Sequence, residues 1–196
     1  MGTFDFIGNI KKINPQADQY ADVDKYIDTG SYIFNALLSG SIYKGLPGNK
    51  ITALAGESAT GKTYFLLGMI RQFLEDHKNG GIIFFESESA ISKTMLEDRG
   101  IDTSRITMLP VATVEQFRTQ AMTILKAVED SPPSERIPLL FCLDSLGQLS
   151  TSKEVEDVVS GSDKRDMTPY DKGRIPSSYY SVGQARNSDG GHQSYL

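Results

Sequence analysis

Disulfide chemistry is the first thing this sequence excludes. Among its 196 residues there is one cysteine, Cys142, so no bridge can close within the chain and no cysteine-based zinc cluster can be built. Two histidines, His77 and His192, leave little for a nitrogen-ligated site, and a bound metal is expected to be oxygen-ligated Mg²⁺. Tryptophan is absent. No apolar run approaches the roughly 18 residues of a membrane helix, and residues 1–11 lack the basic-then-apolar order of a signal peptide, so a cytoplasmic location without a membrane partner is expected. An excess of positive charge is missing too: 20 Lys+Arg against 25 Asp+Glu give a net charge of -5. That excludes the whole-chain basic footprint of a nucleic-acid binder, though not a local basic loop. Large aliphatic side chains run short only at the end, where residues 167–196 hold Met167, Ile175, Val182 and Leu196 and no others.

What is present suits one soluble globular unit: 39% of the residues are hydrophobic and 23% charged. Residues 50–55 form a short apolar run, and residues 62–77 follow with Phe65, Leu66, Met69, Ile70, Phe73 and Leu74 at helical spacing. Asn79, Gly80 and Gly81 break that pattern. The continuous apolar stretch Ile82, Ile83, Phe84 and Phe85 then has the character of a strand buried in a parallel sheet. Residues 89–99 have helical composition with Gly100 as a stop, and residues 106–109 predict a further short strand. Thr113 with Gln116 forms a capping box, after which Val114, Phe117, Ala121, Ile124 and Val128 recur at three- and four-residue steps. Residues 138–143 are again apolar and end at Asp144. This alternation predicts an α/β fold, a mostly parallel sheet with helices on both faces.

Gly56, Glu57, Ser58, Ala59, Thr60, Gly61, Lys62 and Thr63 fit G-x-x-x-x-G-K-[ST] between an apolar strand and an amphipathic helix, the context in which that pattern denotes a P-loop. Glycines at 56 and 61 let the backbone wrap a phosphate chain, and the helix N-terminus adds positive potential. Lys62 is expected to reach the β/γ-phosphates and the Thr63 hydroxyl to ligate Mg²⁺. Asp144, ending a strand downstream of such a loop, has the position of a Walker B aspartate that holds the metal's shell, with Ser145 beside it. Glu86 and Glu88 fall at the end of the 82–85 strand, where ligands of open α/β sheets bind. As strand residues the two are expected to point to opposite faces, so that one of them, Glu88 by preference, polarises the attacking water. Residues 153–165, with Lys153, Glu154, Glu156, Asp157, Asp163, Lys164 and Arg165, read as a mobile polar loop. Cys142 reads as a buried core residue.

In combination these residues resemble the RecA family of recombinases, and within it the UvsX-type recombinases of T-even-like phages. Thr29, Gly30 and Ser31, followed by Asn35, Ala36, Leu37, Leu38, Ser39 and Gly40, are similar to the family's approach to its P-loop. Residues 56–63 resemble its Walker A element, residues 85–90 the strand end bearing its catalytic glutamate, and residues 99–102 the turn after it. Residues 143–147 resemble the Walker B end, and residues 153–168 the first DNA-binding loop. The resemblance spans about residues 29–168. It implies a P-loop NTPase core of RecA type with its C-terminal part incomplete, ATP and Mg²⁺ as cofactors, and Glu88 as the water-activating carboxylate. It further implies single-stranded DNA held near Lys153, Lys164 and Arg165, and self-association into helical filaments that pair homologous strands, in a phage-infected or bacterial cell. A ring helicase, a regulatory ATPase of the same fold, and an inactive nucleotide-binding fragment are the rival readings.

After Thr168 the family's pattern stops. The chain thus divides into an N-terminal arm (1–28), a truncated ATP-binding core (29–168) and a disordered tail of non-native character (169–196). With permitted codons, residues 170–176 shifted by one base spell Met-Thr-Lys-Ala-Glu-Phe, a sensible helix start. On that ground the tail is read as a frameshifted or misread continuation of a recombinase gene, and the chain as weak or inactive.

Overall fold

A computed structural model describes residues 25–48, 50–161 and 180–185, together with positions 12 and 23. In chain order the elements are β1 (Tyr26–Ile27), α1 (Tyr32–Ser39), β2 (Leu46–Pro47), β3 (Ile51–Leu54), α2 (Lys62–Asp76), β4 (Gly81–Glu86), α3 (Lys93–Glu97), β5 (Ile106–Pro110), α4 (Val114–Asp130), β6 (Leu139–Asp144), α5 (Ser152–Val159) and β7 (Tyr180–Ala185). Short 3-10 turns lie at Thr103–Arg105, Pro133–Glu135 and Leu146–Gln148.

The strands β1 and β2 pair antiparallel as a small ribbon, and the other five form one sheet in the order β3-β7-β6-β4-β5. Strand β4 runs parallel to both β5 and β6, with Glu86 level with Pro110 on one side and Asp144 on the other. Strand β7 lies antiparallel to both β3 and β6. It follows that β3, β4, β5 and β6 all point one way, and that the single reversed strand separates β3 from β6. The three-stranded parallel unit matches the α/β expectation. The reversed strand does not follow from it. Five residues of that strand, Ser181 through Ala185, sit opposite the apolar run Leu143 through Leu139 of β6.

Strand alternation divides the β4 and β6 side chains between two faces. Ile82 and Phe84 of β4, with Leu140 and Cys142 of β6, pack beneath Leu66, Leu67, Met69, Ile70, Phe73 and Leu74 of α2. Phe85 and Leu143 lie on the opposite face with Val111 and Ala121, joined by half-buried Ile83, Phe117, Ile124 and Phe141. Both faces are covered, which is why these strands read as continuous apolar runs rather than alternating ones.

Helix α4 starts at the predicted capping box, with Gln116 N donating to Thr113 Oγ1 at 3.1 Å and Thr113 N donating back to Gln116 Oε1 at 3.3 Å. Two expectations need correction. The helix expected over 89–99 is confined to Lys93–Glu97, because Ser89 adopts a left-handed backbone (φ 54°) and Ser92, extended, caps the helix by accepting from Met95 N. The loop expected over 153–165 is helical across Ser152–Val159. A second capping box, Thr151 with Glu154, starts it, and no glycine interrupts it before Gly161 (φ 64°). Lys164 and Arg165 lie outside the described residues, as do residues 1–11, 13–22, 24, 162–179 and 186–196. Of the 1–28 arm, β1 is described, and its Ile27 is buried in the core beneath α2. Of the 169–196 tail, β7 is described.

Candidate functional site

The site grows from the junction of β3, the loop 55–61 and α2. Gly61 caps α2 in a left-handed conformation (φ 93°) that a side chain would strain, and Ala59 shares the left-handed region (φ 62°). The loop's curl is held from within. Thr60 Oγ1 donates to Glu57 O at 2.8 Å, and Lys62 Nζ donates to Gly56 O at 2.9 Å and Glu57 O at 2.6 Å. Lys62 is therefore a buried cation whose described partners include two loop carbonyls, an arrangement that brings its ammonium group inside the curl. Ser58, Ala59, Gly61, Lys62, Thr63, Glu88 and Gln148 line a cavity of about 300 Å³.

Parallel pairing brings the ends of β4 and β6 level, and so sets the carboxylates together at one edge of the sheet. Asp144 is buried at the end of β6, where its Oδ2 accepts from Thr63 Oγ1 at 3.3 Å. Its Oδ1 is buried without a hydrogen-bond partner. Burial, reinforced by the neighbouring Glu88 carboxylate and opposed by the Thr63 hydroxyl, pushes the Asp144 carboxyl up to about 7. An orphaned carboxylate oxygen beside a threonine hydroxyl is the donor set of an oxygen-ligated cation, so Thr63 and Asp144 fit Mg²⁺ held together with phosphate oxygens. No group of three or more His, Cys, Asp or Glu side chains able to hold a metal occurs among the described residues.

Glu86 and Glu88 do diverge, for a reason other than strand alternation. Two residues apart in a strand, they would share a face. The strand ends at Glu86, whose Oε1 accepts from Ala90 N at 2.7 Å, while Glu88 lies beyond it and accepts through Oε1 from Ser145 Oγ at 2.6 Å. Ser87, between them, ties the two strand ends. Its N–H donates to Asp144 O at 3.0 Å, its hydroxyl donates to Ser145 O at 2.9 Å, and it accepts from Ser145 N at 2.9 Å. Glu88 faces the cavity and Glu86 is not among its lining residues.

Of the expected site residues, Ser58, Ala59, Gly61, Lys62, Thr63 and Glu88 line one cavity, and Asp144 touches Thr63 at its edge. Gly56, Glu57 and Thr60 instead form the loop's internal bonds. Three residues escaped the sequence reading as contributors: Ser87 as a tie, Ser145 as a donor to Glu88, and Gln148 in the lining. The first two could have been suspected from two strand ends that must sit level; nothing in the pattern marks Gln148. Lys153 lies on α5, whose described charges also include Glu154, Glu156 and Asp157, so this helix is acidic. Cys142 is buried, and burial drives its thiol far above the usual range, as expected of a core residue. A larger cavity, of about 670 Å³, runs along α4 and is lined by that helix alone.

No family model matches the chain. It is similar to the "Recombination and repair protein" of Enterobacteria phage T4, with 30% identity over 152 residues, which make up 78% of this chain and 37% of that protein. The chain thus spans well under half the length of the relative it matches. No helix among the described residues is long and apolar enough to cross a membrane.

Proposed function

We propose that the chain is the nucleotide-binding part of an ATP-dependent DNA recombinase of RecA type, a P-loop NTPase that assembles as filaments on single-stranded DNA and promotes homologous pairing and strand exchange in recombination and repair. The observation that carries the reading is the meeting of the 56–63 loop with a buried, half-unpartnered Asp144 across Thr63, with Glu88 on the same cavity wall. Similarity to a phage protein named for recombination and repair supports the biological role.

In this reading Lys62 exchanges its carbonyl partners for β/γ-phosphate oxygens, and backbone N–H groups of the loop and the first turn of α2 take the remaining charge. Thr63 and Asp144 hold Mg²⁺, whose chemistry is to neutralise charge developing on the phosphates. Glu88, with one carboxylate oxygen fixed by Ser145, turns the other to the attacking water and accepts its proton. The cations expected to meet DNA backbone are Lys153, Lys164 and Arg165, and such contacts make affinity fall with salt and ignore base sequence.

Turnover of Mg–ATP with and without single-stranded DNA tests the proposal. Hydrolysis stimulated by DNA and reduced at least a hundredfold in Glu88→Gln supports it. Nucleotide binding without turnover would favour the inactive-fragment reading, and DNA-independent turnover by closed rings would favour a ring helicase.

A further inference from the structure

Five of the residues lining the 300 Å³ cavity belong to the 56–63 loop and the start of α2, and the other two, Glu88 and Gln148, follow the ends of β4 and β6. Gln148 plays no part in the chemistry proposed above. Its backbone is pinned on both sides. The 3-10 turn Leu146–Gln148 closes with Gln148 N donating to Ser145 O at 3.3 Å and Leu149 N donating to Leu146 O at 3.2 Å, and Leu146 and Leu149 pack against the cluster around Phe85. Two residues on, Ser150 is held to the start of α4 by both of its backbone groups: Ser150 N donates to Ala112 O at 3.1 Å, and Val114 N donates to Ser150 O at 3.0 Å. The Gln148 side chain, by contrast, is exposed and hydrogen-bonds to none of the described residues. Ser145, which begins this turn, donates its hydroxyl to Glu88 Oε1 at 2.6 Å, so the turn brings the Gln148 carboxamide to the Glu88 end of the cavity. A fixed backbone that carries an unengaged amide into a polar cavity is preorganised for a ligand.

We propose that Gln148 is a specificity-determining residue, whose amide recognises the terminal phosphate of a bound nucleoside triphosphate and so separates it from the diphosphate. This rests on the proposed nucleotide site and goes beyond it by naming the group that tells its two nucleotide states apart. The strand-end side of the cavity is acidic, with Glu88 in the lining and Asp144 behind Thr63. The hydroxyls there are already committed, Ser145 Oγ to Glu88 and Ser87 Oγ to Ser145 O at 2.9 Å. Gln148 is therefore the one uncharged donor that this side leaves for a phosphate oxygen. Its chemistry suits the place: two N–H donors and a carbonyl acceptor on a group without charge. A lysine or arginine there would pair with Glu88 and draw it away from the attacking water, and a carboxylate would repel the phosphate. In the proposed reading Glu88 marks the end at which the terminal phosphate is cut, so a diphosphate stops short of the amide and leaves it unpaired. A hydrogen bond to an anionic oxygen is stronger than one between neutral groups, which makes the contact large enough to discriminate.

The test is calorimetric titration of the full chain at about pH 8, where a glutamate is ionised, with the magnesium complexes of ADP and of β,γ-imido ATP, a triphosphate that resists hydrolysis. Gln148→Ala is expected to lower affinity for the triphosphate about tenfold and to leave ADP affinity unchanged, which also reports that the variant is folded. Gln148→Glu keeps the size of the side chain but exchanges its donor for a charge, and is expected to bind the triphosphate more weakly still, again with ADP unaffected. A side chain that merely fills space would let Gln148→Glu bind as the wild type does. If Gln148→Ala leaves triphosphate affinity intact or lowers both ligands equally, or if Gln148→Glu matches the wild type, recognition by Gln148 is overturned and the phosphate site stands. If the wild type binds neither ligand, the nucleotide site falls and the role of Gln148 with it.

Discussion

The two faces of the sheet are built to different depths. Under α2, fourteen buried hydrophobic residues form one cluster that draws on α2, β1, β2, β4 and β6, with Phe73 and Phe84 fully enclosed. Under α4 the described residues supply four, Phe85, Val111, Ala121 and Leu143, completed by half-buried neighbours such as Phe117, which meets Phe85 edge to face at 4.9 Å. That side also encloses the Gln120 side-chain oxygen without a partner. The glycine-rich loop belongs to the deep face, since the helix it opens buries Leu66, Leu67, Met69, Ile70, Phe73 and Leu74 there. A loop proposed to hold a phosphate chain gains from being tied to a dry, close-packed layer.

The sharpest way to break this contrast is to empty each face in turn. Phe73→Ala is expected to cost about 3–5 kcal/mol of unfolding free energy, and Phe117→Ala, half-buried, about 1–2 kcal/mol. Chemical denaturation of the two variants checks the order, and equal losses would mean the faces share one core. Asp144→Asn comes next and moves stability the other way. Asp144 has a folded-state pKa raised to about 7 from 3.8, so its contribution is fully present below pH 4 and is lost as pH rises through 7. Nucleotide-free protein should therefore melt at a lower temperature at pH 8 than at pH 5.5, and Asp144→Asn should flatten that slope. A slope unchanged by the substitution would remove Asp144 as its cause. The smallest effect concerns the two capping boxes. Thr113→Ala is expected to cost about 1 kcal/mol, because α4 is packed on the sheet. Thr151→Ala is expected to leave global stability nearly unchanged, because Val158 and Val159 of α5 are 81% and 82% exposed and their helix can fray alone. Hydrogen exchange distinguishes the two.

The deep face was largely readable in advance. Phe84 and Cys142 sit in apolar runs long enough for a strand and too short for a helix, and the residues of α2 repeat on one side of a helical wheel. The loop between them carries a pattern whose meaning depends on that context, and the context held. The course of the Ser89–Ser92 segment was not readable, because composition says helix while a single left-handed Ser89 and the cap at Ser92 delay its start. Helix α5 is legible in the sequence, since Thr151 and Glu154 form a capping box as plainly as Thr113 and Gln116 do. Strand β7 has one large aliphatic residue, Val182, and owes its conformation to ladders with β3 and β6 on either side, an instance of tertiary pairing overriding local preference. The divergence of Glu86 and Glu88 depended on where β4 stops, and strand ends are what sequence patterns resolve least.

The central claim is that residues 56–63 form a phosphate site served by Lys62. Calorimetric titration with Mg–ATP, wild type against Lys62→Ala, tests it most directly. The account predicts saturable binding by the wild type and a loss of at least a hundredfold in the variant, with both melting cooperatively. Equal binding by the two proteins, or none by a folded wild type, would contradict it.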